Sequence, residues 1–145
     1  MKRLMLIGRT FSGKTTLCQF LNHEAIRYHK TQTIQIVDKR MIDTPGEYLE
    51  QRHFRGALSV TSTQADVIGL VQDAAEKGTM FPPSFSSMFA LPVIGIITKT
   101  DLADTASIVQ AESYLRMAGV SKIFVTSSYC GEGFEPLKAY LGYDE

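Results

Sequence analysis

Two glycines, a lysine and a threonine stand at a fixed spacing near the start of the chain, in the segment Gly8–Thr15, which reads GRTFSGKT. The segment matches the full pattern of a phosphate-binding loop, with an apolar strand before it and a helix after it. Its glycines let backbone N–H groups point at phosphate oxygens, while Lys14 brings a charge to the outer phosphates. The hydroxyl of Thr15 suits Mg²⁺. The predicted nucleotide contacts here are Gly8, Phe11, Ser12, Gly13, Lys14, Thr15 and Thr16.

A second group of residues, Asp43-Thr44-Pro45-Gly46, follows a short apolar strand. Asp, Pro and Gly all favour turns, so by itself this segment predicts an ordinary turn. Downstream of a complete phosphate-binding loop, the same segment also predicts contacts with Mg²⁺ and phosphate. Asp43 would hold the magnesium shell from the side opposite Thr15, and Gly46 would offer its N–H to a terminal phosphate.

A third group, Thr98-Lys99-Thr100-Asp101, follows a later apolar strand. The carboxylate of Asp101 would accept both the ring N–H and the exocyclic amine of guanine, and adenine has no such pair of donors. The stem of Lys99 would cover the base plane, and Thr98 completes the motif. The alternative is a helix start capped by Asp101. A fourth segment, Thr126–Tyr129, offers N–H groups from Ser127 and Ser128 to the guanine carbonyl, although a plain loop fits it as well.

Two threonines between the first two motifs are candidates for a ligand that closes onto Mg²⁺ when the terminal phosphate is present. Thr33 lies directly before the predicted strand at Ile34, where such a ligand is expected. Thr31 competes with it, and a solvated threonine at a strand edge fits either position. We take Thr33 as a magnesium ligand and a catalytic residue.

Hydrophobic periodicity places these motifs on alternating strands and helices. Continuous apolar strands predict a mostly parallel sheet covered on both faces, and the tight turn at Asp38–Lys39 predicts one antiparallel edge strand. The fold class is therefore α/β with three layers, as one domain over residues 1–145. Ligands bind at the carboxyl ends of strands in such folds, and every motif falls at such an end. The predicted strands are Lys2–Ile7, Ile34–Val37, Arg40–Ile42, Val67–Val71, Pro92–Thr98 and Lys122–Thr126, and the predicted helices are Lys14–Asn22, Gln51–Ser59, Ser107–Ala118 and Glu135–Leu141.

Composition narrows the function classes. The chain has 145 residues, 44% of them hydrophobic, with 15 basic and 15 acidic residues. A zero net charge gives no electrostatic reason to expect nucleic acid or an anionic membrane as a partner. The apolar runs are shorter than a membrane span, and we expect no signal peptide. Cys18 and Cys130 match no metal-binding spacing, which favours reduced thiols in a cytoplasmic protein.

The four motifs in this order resemble the Ras-like P-loop GTPases over nearly the whole chain. The segments Met1–Gly8, Lys30–Ile34 and Ile42–Glu50 are similar to those of the EutP/PduV family, whose members are encoded with machinery for ethanolamine or propanediol breakdown. The resemblance implies GTP or GDP with Mg²⁺ as ligands. It also implies a cytoplasmic location at a bacterial microcompartment, with shell or enzyme proteins as partners. Some members have been described as acetate kinases, which makes ATP-dependent phosphoryl transfer the rival activity.

Departures from the Ras-like pattern bear on turnover and on the base site. Glu47 stands where many relatives carry a water-positioning Gln, so slow hydrolysis with Lys14, Thr33 and Glu47 as the catalytic set is the natural expectation. Tyr129 replaces a lysine beside the base, and Thr98 replaces an asparagine. Three functions therefore stay open: a GTP-dependent switch, an acetate kinase, and a nucleotide-bound scaffold that never turns over.

Overall fold

Five parallel strands form the centre of the fold in the computed structural model, which describes residues 2–9, 17, 41–43, 55–127 and 133–142. The strands are β1 (Leu4–Ile7), β2 (Met41–Asp43), β3 (Val67–Asp73), β4 (Val93–Thr98) and β5 (Lys122–Val125). They lie in the order β2-β1-β3-β4-β5, and each of these pairings is parallel. The predicted parallel sheet is confirmed. The predicted antiparallel edge strand falls on residues 34–37, outside the described part, and stays a prediction.

Three helices accompany the sheet in the described part: α1 (Arg55–Ser62), α2 (Thr105–Met117) and α3 (Phe134–Leu141). Helix α2 begins two residues before its predicted start, because Asp104 caps it by accepting a hydrogen bond from the Ser107 N–H at 2.8 Å. Helix α1 continues past the predicted Ser59. Of the predicted helix Lys14–Asn22, the structure describes Leu17 alone, in helical conformation.

Both faces of the sheet are covered by apolar side chains. The residues of β1 alternate between two clusters, and all four of its side chains are fully buried. Leu4 and Leu6 belong to a cluster with Leu17 and residues of α3, whereas Met5 and Ile7 belong to the cluster that holds residues of α1 and α2. A strand buried on both faces is typical of a three-layer α/β fold, as predicted.

The segment between β3 and β4 contributes to the cluster that holds residues of α1 and α2. Phe81, Phe85 and Phe89 are buried and pack in series, with ring centroids 5.6 and 5.7 Å apart. Phe85 begins a 3₁₀ turn, Phe85–Met88, and Phe89 follows that turn directly. Backbone N–H groups from this segment also bind carbonyls at the end of α2, including Ser84 N to Met117 O at 2.8 Å. The segment therefore caps α2 and completes the core.

Among the described residues, no helix is long and apolar enough to cross a membrane.

Candidate nucleotide-binding site

The carboxyl ends of all five strands lie at one edge of the sheet, because every described pairing is parallel. Strand β1 leads into Gly8, β2 ends at Asp43 and β4 ends at Thr98. Strand β1 lies between β2 and β3, which is the strand order that opens a ligand crevice beside the first strand of a doubly wound sheet. The structure therefore brings the start of the phosphate-binding loop, the acidic motif and the base motif to one edge, as the sequence predicts.

The phosphate side of the site is described at its start only. Gly8 is buried directly after β1, and Asp43 closes β2 at the position paired with Leu6 of β1. Arg9 is exposed, and its Nη1 lies 2.9 Å from Glu76 Oε2. Outside the described residues lie Phe11, Ser12, Gly13, Lys14, Thr15, Thr16, Thr31, Thr33, Gly46, Glu47, Ser128 and Tyr129. Their roles, and the magnesium role of Asp43, stay predictions.

Two predicted base-contacting residues meet across the ends of β4 and β5. The Ser127 hydroxyl donates a hydrogen bond to Asp101 Oδ1 at 2.6 Å. Ser127 is fully buried and Asp101 is exposed. Asp101 lies within a 3₁₀ turn at Thr100–Leu102, whereas the cap of the following helix is Asp104. The alternative in which Asp101 caps the helix start therefore has no support, because Asp104 caps that helix and the Asp101 carboxylate accepts from Ser127.

Three threonine hydroxyls hold the ends of neighbouring strands together at this edge. Thr126 binds the Ile97 carbonyl through both its N–H and its hydroxyl, each at 2.8 Å. The hydroxyl of Thr100 donates to the Thr126 carbonyl at 3.0 Å, and that of Thr98 reaches the Gln72 carbonyl at 3.5 Å. Thr98 is buried, so its hydroxyl faces β3. These hydrogen bonds fix the backbone that carries Asp101 and Ser127.

Lys99 makes an ion pair that sequence reasoning missed. Its Nζ lies 3.2 Å from Oδ2 of Asp73, the last residue of β3. Its backbone is left-handed, with φ 59° and ψ 34°, which is uncommon for a residue with a side chain. The prediction ended β3 at Val71, and so left Asp73 out of the site. One sequence feature could have identified Asp73: it is an acidic residue two positions after a predicted apolar strand, whose carboxyl end lies at the same edge as the other motifs.

Comparison with known proteins places the chain in a family. The family model PduV-EutP, described as ethanolamine utilisation - propanediol utilisation, matches residues 1–143. The propanediol utilization protein PduV of Citrobacter freundii is 43% identical over 145 residues, which cover 100% of this chain and 96% of that protein. A probable acetate kinase EutP of Escherichia coli K12 is 29% identical, over 97% of this chain and 89% of that protein.

Solved structures with a similar fold include an elongation factor and a G-domain. Elongation factor SelB of Methanococcus maripaludis, in complex with the GTP analogue GPPNHP, superposes with a TM-score of 0.69 at 22% identity. The match covers 94% of this chain but only 32% of SelB. The FeoB G-domain of Methanococcus jannaschii gives a TM-score of 0.64 at 19% identity, over 96% of this chain and 94% of that domain. The described elements thus have the fold of a P-loop GTPase domain, and the chain belongs to the PduV-EutP family of ethanolamine and propanediol utilisation proteins.

Proposed function

We propose that this protein binds guanine nucleotide with Mg²⁺ and hydrolyses GTP slowly. The observation that carries the proposal is the 2.6 Å hydrogen bond from Ser127 to Asp101, which holds an exposed carboxylate at the carboxyl edge of a GTPase-type sheet. A carboxylate has about four acceptor positions and no donor, so Asp101 keeps room for further donors after binding Ser127. Guanine offers two adjacent donors on one edge and adenine does not, which favours guanine.

The start of the phosphate side fits a nucleotide bound in the same crevice. Gly8 is buried where β1 ends, and Asp43 ends the adjacent strand. In the proposed site Lys14 binds the outer phosphates, Thr15 and Thr33 are magnesium ligands, and Asp43 acts on the magnesium shell. When bound, the ion neutralises charge on the phosphates. Glu47 then takes the place of a water-positioning amide, and this replacement is the reason to expect slow turnover.

The biological setting that we propose is the one suggested by the family. The family model is described by ethanolamine and propanediol utilisation, and PduV is named a propanediol utilization protein; these names support a cytoplasmic role at a bacterial microcompartment, with shell or enzyme proteins as partners. As a GTP-dependent switch, the protein would change conformation between its GTP-bound and GDP-bound states. A nucleotide-bound scaffold would lack that difference.

Calorimetry with GDP, GTP, ADP and ATP in magnesium buffer tests the base assignment. We expect GDP to bind more tightly than ADP, and Asp101→Asn to abolish that preference and favour xanthosine diphosphate. A carboxamide sets an amine against one guanine donor, whereas xanthine has a carbonyl there. Asp66→Asn, at the opposite edge of the sheet, is the matched control and should change nothing.

The rival activity appears in the names of three relatives, each described as a probable acetate kinase EutP. It makes the opposite forecast: tight binding of ADP, turnover of ATP that depends on acetate, and little effect of Asp101→Asn. Equal binding of GDP and ADP would remove the guanine assignment.

A further inference from the structure

The turn at the end of β3, residues 73–76, lies between the two halves of the candidate site. Strand β3 pairs with β1, which leads to the phosphate-binding loop, and with β4, which leads to the base motif. Asp73 is the register partner of Thr98. The Ala74 N–H donates to the Thr98 carbonyl at 2.9 Å. The backbone of this turn is therefore bound directly to the residue before Lys99.

Two ion pairs leave this turn in opposite directions. Asp73 Oδ2 lies 3.2 Å from Lys99 Nζ in the base motif, and Glu76 Oε2 lies 2.9 Å from Arg9 Nη1 at the start of the phosphate-binding loop. The acidic side chains are only 17% and 13% exposed, whereas their basic partners are 35% and 46% exposed. The carboxylates are thus the more enclosed member of each pair, and each holds its charge beside a more exposed basic side chain.

The position of Asp73 is set within its own turn. Its Oδ1 accepts the Ala75 N–H at 2.9 Å, and its carbonyl accepts the Glu76 N–H at 3.1 Å. Lys99 has a left-handed backbone between Thr98, which is bound to β3, and Thr100, which is bound to Thr126. With its backbone held on both sides and its ammonium group paired, the stem of Lys99 has a defined direction along the edge of the sheet.

We propose that Asp73 is a positioning residue for base recognition, acting through Lys99. The ion pair holds the Lys99 stem where it packs on the base, so that its apolar carbons reach the ring without a rotamer search on each binding event. Glu76 does the same for Arg9 on the phosphate side. This inference rests on the proposed nucleotide function. Loss of Asp73 should weaken the contact with the base, whereas loss of Glu76 should weaken the contact with the phosphates.

A double-mutant cycle with Asp73→Asn and Lys99→Met tests the inference, with dissociation constants measured for GDP and for inorganic pyrophosphate. We expect Asp73→Asn to weaken GDP binding roughly three- to tenfold and to leave pyrophosphate binding unchanged. In the Lys99→Met background the same substitution should have no further effect. Glu76→Gln should weaken GDP and pyrophosphate alike. Asp66→Asn removes the same charge before β3, where its carboxylate accepts the Arg3 N–H, and should alter neither affinity.

Additive effects of the two substitutions would overturn the inference, because Asp73 would then act independently of Lys99. An equal loss of GDP and pyrophosphate binding in Asp73→Asn would also overturn it, since that pattern means general loosening of the site. The wild-type order of GDP and ADP tests the proposed function separately. If ADP binds better, the same cycle with ADP still decides the role of Asp73. Absence of any nucleotide binding by the wild type would refute both.

Discussion

Buried hydroxyl groups fix the ends of the strands at the carboxyl edge of the sheet. Thr98, Thr126 and Ser127 are almost completely buried, and each hydroxyl has a hydrogen-bond partner. A buried hydroxyl without a partner is costly, so each of these side chains favours one arrangement of the strand ends. The hydrogen bond from the buried Ser127 orients the exposed carboxylate of Asp101. We therefore expect substitutions of Ser127 to change the affinity for the ligand.

Ser127→Ala should weaken GDP binding by about tenfold, because Asp101 loses the donor that orients it. Isothermal titration calorimetry measures the change. Ser62→Ala is the control, since Ser62 is also buried and donates to the Ser59 carbonyl at 2.6 Å, but lies at the end of α1. If Ser62→Ala weakened GDP binding as much as Ser127→Ala, the loss would reflect general destabilisation instead.

Strands that consist of apolar residues could be predicted from the sequence, whereas a strand end formed by polar residues could not. Strands β1 and β4 were predicted to within two residues at either end, since their side chains are nearly all buried. Strand β3 was predicted two residues short because Gln72 and Asp73 are polar. Gln72 is nonetheless buried, as its amide donates to the Gly78 carbonyl at 3.0 Å. Such pairing depends on tertiary structure and leaves no local pattern.

Helix α2 should respond to acid through its cap. The Ser107 N–H, and then the Ser107 hydroxyl, lower the pKa of Asp104 below its ordinary 3.8. The ionised carboxylate therefore stabilises the fold above about pH 4, and this contribution is lost as the pH falls through the lower pKa of the folded state. Asp104→Asn keeps an acceptor oxygen but does not titrate. The stability difference between wild type and Asp104→Asn, from urea unfolding, should shrink below about pH 4.

Asp104→Ala provides the comparison for that experiment, since alanine cannot cap at any pH. It should lower the melting temperature by a few degrees at pH 7. A stability difference between wild type and Asp104→Asn that stayed constant from about pH 7 to about pH 2 would contradict the assigned cap.

The start of α3 depends on a glycine. Gly133 has φ 81°, and a Cβ there would overlap the Val125 carbonyl oxygen at the end of β5. Gly133→Ala should therefore reduce the free energy of unfolding by at least about 2 kcal/mol, because backbone atoms must move. Gly56→Ala in α1 is the control, as a Cβ there meets nothing within 4 Å. It should be neutral or stabilising by up to about 1 kcal/mol. Equal stability of the two variants, measured by urea unfolding, would refute this account.

At the scale of the whole molecule, topology placed the candidate site more reliably than any single motif. A short motif such as Thr98–Asp101 does not by itself identify a binding site. The parallel strands, however, bring their carboxyl ends, and therefore the motifs that follow them, to one edge of the sheet. The ion pairs of Asp73 and Glu76 could not be predicted, because they join residues 26 and 67 positions apart through long side chains. Sequence therefore predicts where the site lies and not how its charged side chains are paired.

Ligand binding should stabilise the whole fold if the proposed site is real. At a GDP concentration 100 times the dissociation constant, linkage adds about 2.7 kcal/mol, which raises the melting temperature by roughly 5–11 °C for a chain of this size. Differential scanning fluorimetry should show this shift in magnesium buffer and a smaller one with EDTA. ADP at the same concentration should have a weaker effect. An equal shift in melting temperature with and without EDTA would contradict the proposal that Mg²⁺ takes part in binding.

The order of strands also has a consequence for synthesis of the chain. Strand β1 leaves the ribosome first, but its partner β3 follows about 60 residues later, and β4 later still. At about 5–20 residues per second, β1 waits roughly 3–12 s for β3 with four side chains that are fully buried in the finished protein. Nascent chains in that interval offer apolar surface to chaperones and to each other. Yield in the cell would therefore depend on protection of this first strand during translation as well as on final stability.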